Sequence, residues 1–399
     1  MSPAARILLT ARGVRAFGDG FVALLLPVYL TGLGFSPFQV GVLTTATLLG
    51  SAALTLAVGL TAHRLSARTL LSAASLLMLA TGLAFSQLRA FWPLALVGFI
   101  GTLNPSGGDV SPFLPLEQSL LAYAGPEAGR TSLFARYSLT GSLLGAAGAL
   151  TVGLADQVGA RLGLARLDVA AAMFALYGLL GPAVLLLYRR LPELEHSEAA
   201  APQPLGPSRR KVLVLAGLFS LDAFGGGFLV QSLLALWLFQ RFGLSLSAAG
   251  AFFFWAGLLT AFSQLAAGRL AKRIGLINTM VFTHIPANLC LILVAFAPGL
   301  PAAMGLLLVR AALSQMDVPA RTSYVMAIVT PPERAAAAGL TNVPRSLASA
   351  LSPTLAGLLL TLSPFAWPLL IGGGLKIVYD LLLLAMFSHV RPPEEEAAR

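Results

Sequence analysis

The chain has 399 residues, 57% of them hydrophobic and only 11% charged, with a mean hydropathy of +0.83. Soluble domains carry about 25% charged residues, so a water-exposed globule of this size is excluded. The formal charge of +10 is spread thinly, with no basic run longer than Arg209-Arg210-Lys211, and reads as membrane orientation rather than nucleic-acid binding. The single Cys290 excludes an intramolecular disulfide and a cysteine-based metal site.

A spanning helix needs about 20 mostly apolar residues, because lipid offers no partner to free backbone groups. Twelve such stretches are expected in chain order: 7–32, 37–62, 67–88, 91–123, 130–154, 168–189, 211–240, 245–269, 275–297, 301–329, 335–362 and 366–389. Ser36-Pro37-Phe38-Gln39 predicts a capped helix start, and Ser66 and Ser247 are expected caps for the helices after them. The first stretch keeps Arg12, Arg15 and Asp19 and lacks a small-residue cleavage pattern, so no cleavable signal peptide is expected. Placing both termini in the cytoplasm puts fifteen Lys/Arg in inner segments and four in outer loops, a clear positive-inside bias. The one sizeable linker, 191–210, separates an N-terminal bundle (1–190) from a C-terminal bundle (211–399) with a short acidic tail. The expected fold is therefore an all-α polytopic membrane protein of two six-helix bundles.

The halves also echo one another. At an offset of 209, Gly18, Gly34, Gly41, Gly59, Gly148 and Gly163 fall on glycines, six matches where chance gives roughly two. Ser36, Ala62, Arg64 and Arg136 fall on Ser245, Ala271, Arg273 and Arg345. Parallel repeats of this kind place a solute site near the bilayer midplane.

Twelve spans, a linker after the sixth, and a glycine-basic motif after the second and eighth resemble the major facilitator superfamily. Its signature, roughly Gly-x-x-Ala-Asp-Arg-x-Gly-Arg-Arg, is echoed by Gly59-Leu60-Thr61-Ala62-His63-Arg64-Leu65-Ser66-Ala67-Arg68 and by Gly268-Arg269-Leu270-Ala271-Lys272-Arg273-Ile274-Gly275. His63 and Lys272 stand where the family has Asp. Ala95 to Leu103 lacks the basic residue of many drug exporters, and Gly141 to Gly148 resembles the antiporter glycine motif without its proline. The resemblance implies a secondary transporter working by alternating access, with proton-coupled efflux of a small organic solute as the leading expectation. An uncoupled facilitator, or an importer of a polar or anionic metabolite, is the alternative on the same fold. No nucleotide-binding motif, Asp-rich metal motif or His-x-x-x-His pair occurs, so neither enzyme nor cofactor is expected. The expected setting is a monomer in the inner (plasma) membrane.

Charges at membrane depth cost about 2.5–3.5 kcal/mol each and normally meet a partner or a cavity. In the tenth span Arg310, Ser314, Asp317 and Arg321 share one helix face. Arg310 and Asp317 lie about 10 Å apart along the axis. Asp317 then either takes up a proton beside a solute oriented by Arg310, or is neutralised by Arg321, and Pro319 is expected to bend the helix. In the fourth span, Asn104-Pro105-Ser106-Gly107-Gly108-Asp109 and Ser111-Pro112 interrupt an overlong apolar run, which points to a site or a kink at Asn104 and Asp109, with Glu117 nearer the cytoplasm. Arg15 and Asp19 are one turn apart and can pair. Asp222 precedes Gly225-Gly226-Gly227, which reads as close helix packing and not a phosphate loop. Candidate solute and proton groups are thus Asp19, Asn104, Asp109, Glu117, Asp222, Arg310 and Asp317. Candidate gate or ion-pair residues are Arg15, Arg64, Arg136, Arg273, Arg321 and Arg345. His284, beside Pro286, is read chiefly as a packing residue.

Overall fold

The computed structural model describes residues 1–61, 64–106, 111–124, 130–192, 205–206, 208–330 and 333–390. Among them there is no strand. The helices are α1 (Pro3–Gly32), α2 (Pro37–Thr61), α3 (Ala67–Gln87), α4 (Phe91–Ile100), α5 (Phe113–Tyr123), α6 (Arg130–Arg161), α7 (Arg166–Arg189) and α8 (Arg209–Gly227). They continue as α9 (Gln231–Phe242), α10 (Leu246–Ile274), α11 (Leu276–Val294), α12 (Leu300–Leu313), α13 (Asp317–Ile328), α14 (Arg334–Leu362) and α15 (Trp367–Phe387). Among the described residues, ten stretches are long and apolar enough to cross a membrane, with α8 and α9 counted as one. Large apolar side chains such as Trp92, Leu179, Phe262 and Leu362 are exposed, as a lipid-facing surface requires.

Helix starts follow local chemistry. Ser36 and Gln39 form a reciprocal capping box: Ser36 Oγ accepts from Gln39 N at 3.3 Å, and Gln39 Oε1 accepts from Ser36 N at 2.9 Å. Ser66 Oγ caps Thr69 N at 3.1 Å. The expected cap at Ser247 is corrected. Ser245 Oγ accepts from Ala248 N at 3.2 Å, while Ser247, already inside α10, accepts from Gln157 Nε2 at 3.0 Å.

Three expected single spans are broken. The stretch 91–123 divides into α4 and α5, 211–240 into α8 and α9, and 301–329 into α12 and α13. In the first break, side chains replace the lost ladder: Thr102 N donates to Thr81 Oγ1 at 3.3 Å, and Tyr177 Oη donates to Thr102 O at 2.8 Å. Pro105 O accepts from Ser232 N at 3.1 Å, so the start of α9 satisfies a carbonyl freed in the fourth span. In the third break, α13 restarts at Asp317 and places Pro319 in its first turn, where a missing N–H costs nothing.

The chain forms two compact units. The first contains Met1–Glu195, Val230–Leu258 and Pro353–Pro364; the second contains His196–Leu229, Leu259–Ser352 and Phe365–Arg399. Within the first unit, α2 meets α14 and α6 meets α10 in two close seams. A Cβ on Gly41 would strike the Pro353 carbonyl oxygen, and Thr354 N donates to Thr45 Oγ1 at 3.1 Å, with the two hydroxyls 2.8 Å apart. A Cβ on Gly250 would come within 2.8 Å of Ala149 O, and one on Gly257 within 2.9 Å of Ala146 Cβ. The offset of 209 carries Gly41 onto Gly250 and Gly148 onto Gly357, so it exchanges the two seams.

Within the second unit, Gly225 of the triple glycine lies against α15, where a Cβ would sit 3.0 Å from Gly372 O. Gly227 packs on Ser349 and Ser352. The triplet is a packing device, as its sequence context suggests.

Candidate functional site

The second unit buries a connected set of charges on four helices. On α8, Asp222 accepts from Lys376 Nζ of α15 at 2.6 Å and from Arg321 Nη1 of α13 at 3.2 Å. Arg321 Nη1 also lies 3.3 Å from Asp317 Oδ2, one turn earlier. On α11, His284 Nδ1 is 2.9 Å from Asp380 Oδ1, and His284 Nε2 is 3.8 Å from Asp222 Oδ1. Asn288 Nδ2 donates to Asp380 Oδ2 at 3.3 Å. All six charged or titratable side chains are buried, Asp380 completely.

Helical spacing assembles this cluster. Asp317/Arg321, His284/Asn288 and Lys376/Asp380 are each four residues apart, so each pair presents from one face. Arg321 is shared between Asp317 and Asp222, which joins the tenth-span stripe to the Asp222 of the seventh. Lys376, Asp380, His284 and Asn288 complete the arrangement, although none was a leading candidate from the sequence. The available signal was their i,i+4 polar spacing on otherwise apolar helices.

Arg310 on α12 and Arg345 on α14 are half-buried. Neither has a carboxylate within 4 Å among the described residues, and the Nε of each is buried without a hydrogen-bond partner. Both lie within electrostatic reach of Asp222. Ser314 is buried in the break between α12 and α13.

The first unit holds a different kind of cluster. Glu117, fully buried on α5, accepts from the Arg15 guanidinium, from Tyr137 Oη, and from Tyr188 Oη at 2.6 Å. Arg15 also donates to Ser111 Oγ at 3.4 Å and stacks on Phe113, its guanidinium carbon 4.2 Å from the ring centroid. The ion pair of Arg15 with Glu117 joins α1 to α5, and Asp19, one turn on from Arg15, adds to the negative charge around its guanidinium. Asp19 is buried, as is Asn104, whose Oδ1 accepts from Ser106 Oγ at 2.7 Å. Asp109, His63 and most of the linker and tail lie outside the described residues. Among the candidate gate residues, Arg64, Arg136 and Arg273 are exposed. Arg136 and Arg273 form no ion pair among the described residues.

Outside the spans, Glu333 gathers the linker end. Its carboxylate accepts from Thr330 Oγ1 and Ser208 Oγ, each at 2.7 Å, and from Gly206 N. These donors, Thr330 foremost, hold its carboxyl down at about 2. No group of three or more His, Cys, Asp or Glu placed to hold a metal ion occurs among the described residues.

Residues 8–315 match the model of the Major Facilitator Superfamily, and the chain belongs to that family. A Saccharomyces cerevisiae relative, described as the uncharacterized membrane protein YJR124C, is 24% identical over 96% of this chain and 94% of its own. Among solved structures, the nucleoside transporter NupG superposes with a TM-score of 0.75 at 16% identity, covering 97% of this chain and 99% of that one. A bacterial homologue of the human lysosomal transporter Spinster, inward-facing and unoccupied, gives 0.71 at 16% identity over 96% and 95% of the two chains. The human organic anion transporter MFSD10 gives 0.66 at 18% identity over 96% and 99%. The protein is a membrane transporter of a solute.

Proposed function

We propose that this transporter is a proton-coupled exporter of a small organic solute, working by alternating access as a monomer in an inner (plasma) membrane. In this reading α4 with α5, and α12 with α13, each make one crossing. That gives twelve spans, both termini in the cytoplasm, and two bundles, 1–190 and 211–399.

The observation that carries coupling is a charge imbalance. The enclosed core of the second unit holds three carboxylates, Asp222, Asp317 and Asp380, against two permanent cations, Arg321 and Lys376. Setting aside the half-buried Arg310 and Arg345, which lie within electrostatic reach of Asp222, one negative charge is left over among the buried groups. Beside it stands His284, held between Asp380 and Asp222. A single proton shared by Asp380 and His284 makes the core neutral, and neutrality is what a low-dielectric setting favours. Imidazole is the side chain best suited to gain and lose a proton near neutral pH.

Arg310 and Arg345 supply the solute end. Both are half-buried cations without a carboxylate at salt-bridge distance, so an anionic group on the solute would offset their cost of burial. Loss of the shared proton would add a negative charge close to both arginines and weaken their hold on an anion. In that linkage proton and anion bind together, which by itself favours the import reading below. The organic-anion likeness of one structural neighbour supports an anionic solute. Asp19, Asn104 and Asp109 remain the first unit's proposed contributors. Glu117, with three donors, serves as an anchor.

Import of an anion on the same site is the second reading. An inside-negative potential opposes anion entry by about 2.3 kcal/mol per charge per 100 mV, so an importer also needs a proton to travel with its solute. Proteoliposomes with a trapped pH dye separate these outcomes. Adding mono- and dicarboxylates to one side at a time should produce proton movement opposite to the solute for export, and with it for import. His284→Gln should abolish the proton signal while the thermal shift caused by the bound anion persists. Solute flux without proton movement in the parent protein would overturn the coupling.

A further inference from the structure

The first unit carries an apolar groove of about 410 Å³ that plays no part in the reading above. Its floor is α1, with Leu9, Gly13 and Phe17; its walls are Thr140 and Leu144 of α6 and Leu180 of α7. None of the lining residues is charged. At Gly13 the floor comes close to α6, where a Cβ would lie 3.3 Å from Thr140 Cγ2. From Leu9 to Phe17 the groove follows the axis of α1 for about 12 Å, along the end of the span that the basic loops assign to the cytoplasmic leaflet.

Two arginines mark that end. Arg6 is one turn before the lining residue Thr10, and Arg136 is one turn before Thr140, so each sits above the groove on its own helix face. Both are exposed, and neither has a carboxylate within 4 Å among the described residues. The nearest recorded polar partner of Arg136 is the Met1 sulfur, at 3.9 Å. An apolar channel at membrane depth, ending under two unpaired cations, has the polarity of an anionic phospholipid. We propose that this groove binds one such lipid from the cytoplasmic leaflet, its acyl chain against Gly13 and Leu144 and its phosphate between Arg6 and Arg136. A soluble anion would meet the arginines but leave the groove unfilled, and a zwitterionic lipid would fill the groove but gain less from the arginines.

The test is lipid competition read by native mass spectrometry on delipidated full-length protein. It uses equimolar phosphatidylglycerol and phosphatidylcholine with matched chains. Basic residues at the membrane surface contribute about 1 kcal/mol each, so two should favour phosphatidylglycerol roughly thirty-fold. Arg6→Gln with Arg136→Gln should bring that ratio near one. Arg269→Gln with Lys272→Gln, which removes equal charge from the end of α10, should leave it unchanged. Leu144→Trp, which fills the groove at an exposed position, should lower retention of both lipids while sparing both arginines. Equal retention in the parent protein would overturn the proposal. So would equal loss in the α10 variant, an unaltered Leu144→Trp profile, or competition by glycerol 1-phosphate as strong as that by the intact lipid.

Discussion

Glu117 and Asp380 are both carboxylates closed off from solvent, yet their neighbours give them opposite tasks. Glu117 faces a permanent cation and two phenols, all three of which hold it in place. Removing it strands the Arg15 guanidinium at 2% exposure. Glu117→Ala should therefore destabilise the fold by about 3–5 kcal/mol, seen as a large drop in the melting temperature of the detergent-solubilised protein. Asp380 faces an imidazole and an amide, groups whose charge can change or is absent. His284→Gln should cost far less stability and be felt in proton movement. Glu333 allows a pH forecast. Its carboxyl is held at about 2, below the usual carboxylate range. The stabilisation is therefore full above that range and is lost only as pH falls through it toward 2. Proteolytic nicking near Gly206 and Ser208 should stay constant from pH 8 down to about 5 in the parent and be faster throughout in Glu333→Ala. At this scale the sequence was partly legible. The Asp317/Arg321 stripe and Asp222 were readable because charge is rare in apolar helices. The roles of His284 and Asp380 were not, because their meaning lies in neighbours on different helices.

Among helices, glycine positions separate contact from vacancy. A Cβ on Gly82 of α3 would fall among the backbone atoms of Gly178 on α7, and one on Gly148 of α6 would strike the Phe17 carbonyl oxygen on α1. Backbone cannot step aside as a flexible side chain does, so Gly82→Ala and Gly148→Ala should each cost about 1–3 kcal/mol in thermal unfolding. Gly59 and Gly268, the leading glycines of the two family motifs, would meet nothing within 4 Å, and alanine there should leave stability unchanged. Interruption of the fourth span was legible from its Pro and Gly run, and the disturbance of the tenth from Pro319. The division of the seventh was not, since its glycines signalled packing and the turn at Phe228 to Val230 has no proline to announce it. Misplacing a cap by two residues, at Ser247 instead of Ser245, reflects two serines of equal local merit. What decides between them is the Gln157 amide, distant in sequence.

For the molecule as a whole, periodicity and loop charge were enough to give the helical class, because a bilayer leaves the backbone so few options. The internal offset pairs Gly41 of one seam with Gly250 of the other. The seams it relates can be tested by locking one of them. In a Cys290→Ala background, Thr45→Cys with Thr354→Cys should form a disulfide readily, since the native hydroxyls are 2.8 Å apart. Oxidation should then halt transport in proteoliposomes, and reductant should restore it. Full activity of the oxidised protein would mean that this seam never parts during turnover.

Symmetry of position does not extend to symmetry of material. The middle of the α2–α14 seam is stitched by threonine hydroxyls. In its counterpart Gly250 and Gly257 pack closely on Ala149 and Ala146, and the hydrogen bonds among the described residues gather at Ser247. Separating the first exchanges hydroxyl partners for water at little net change, while separating the second gives up close packing of small residues. The two edges should therefore yield at different moments, like a page turned from its looser corner rather than a pair of jaws opening evenly.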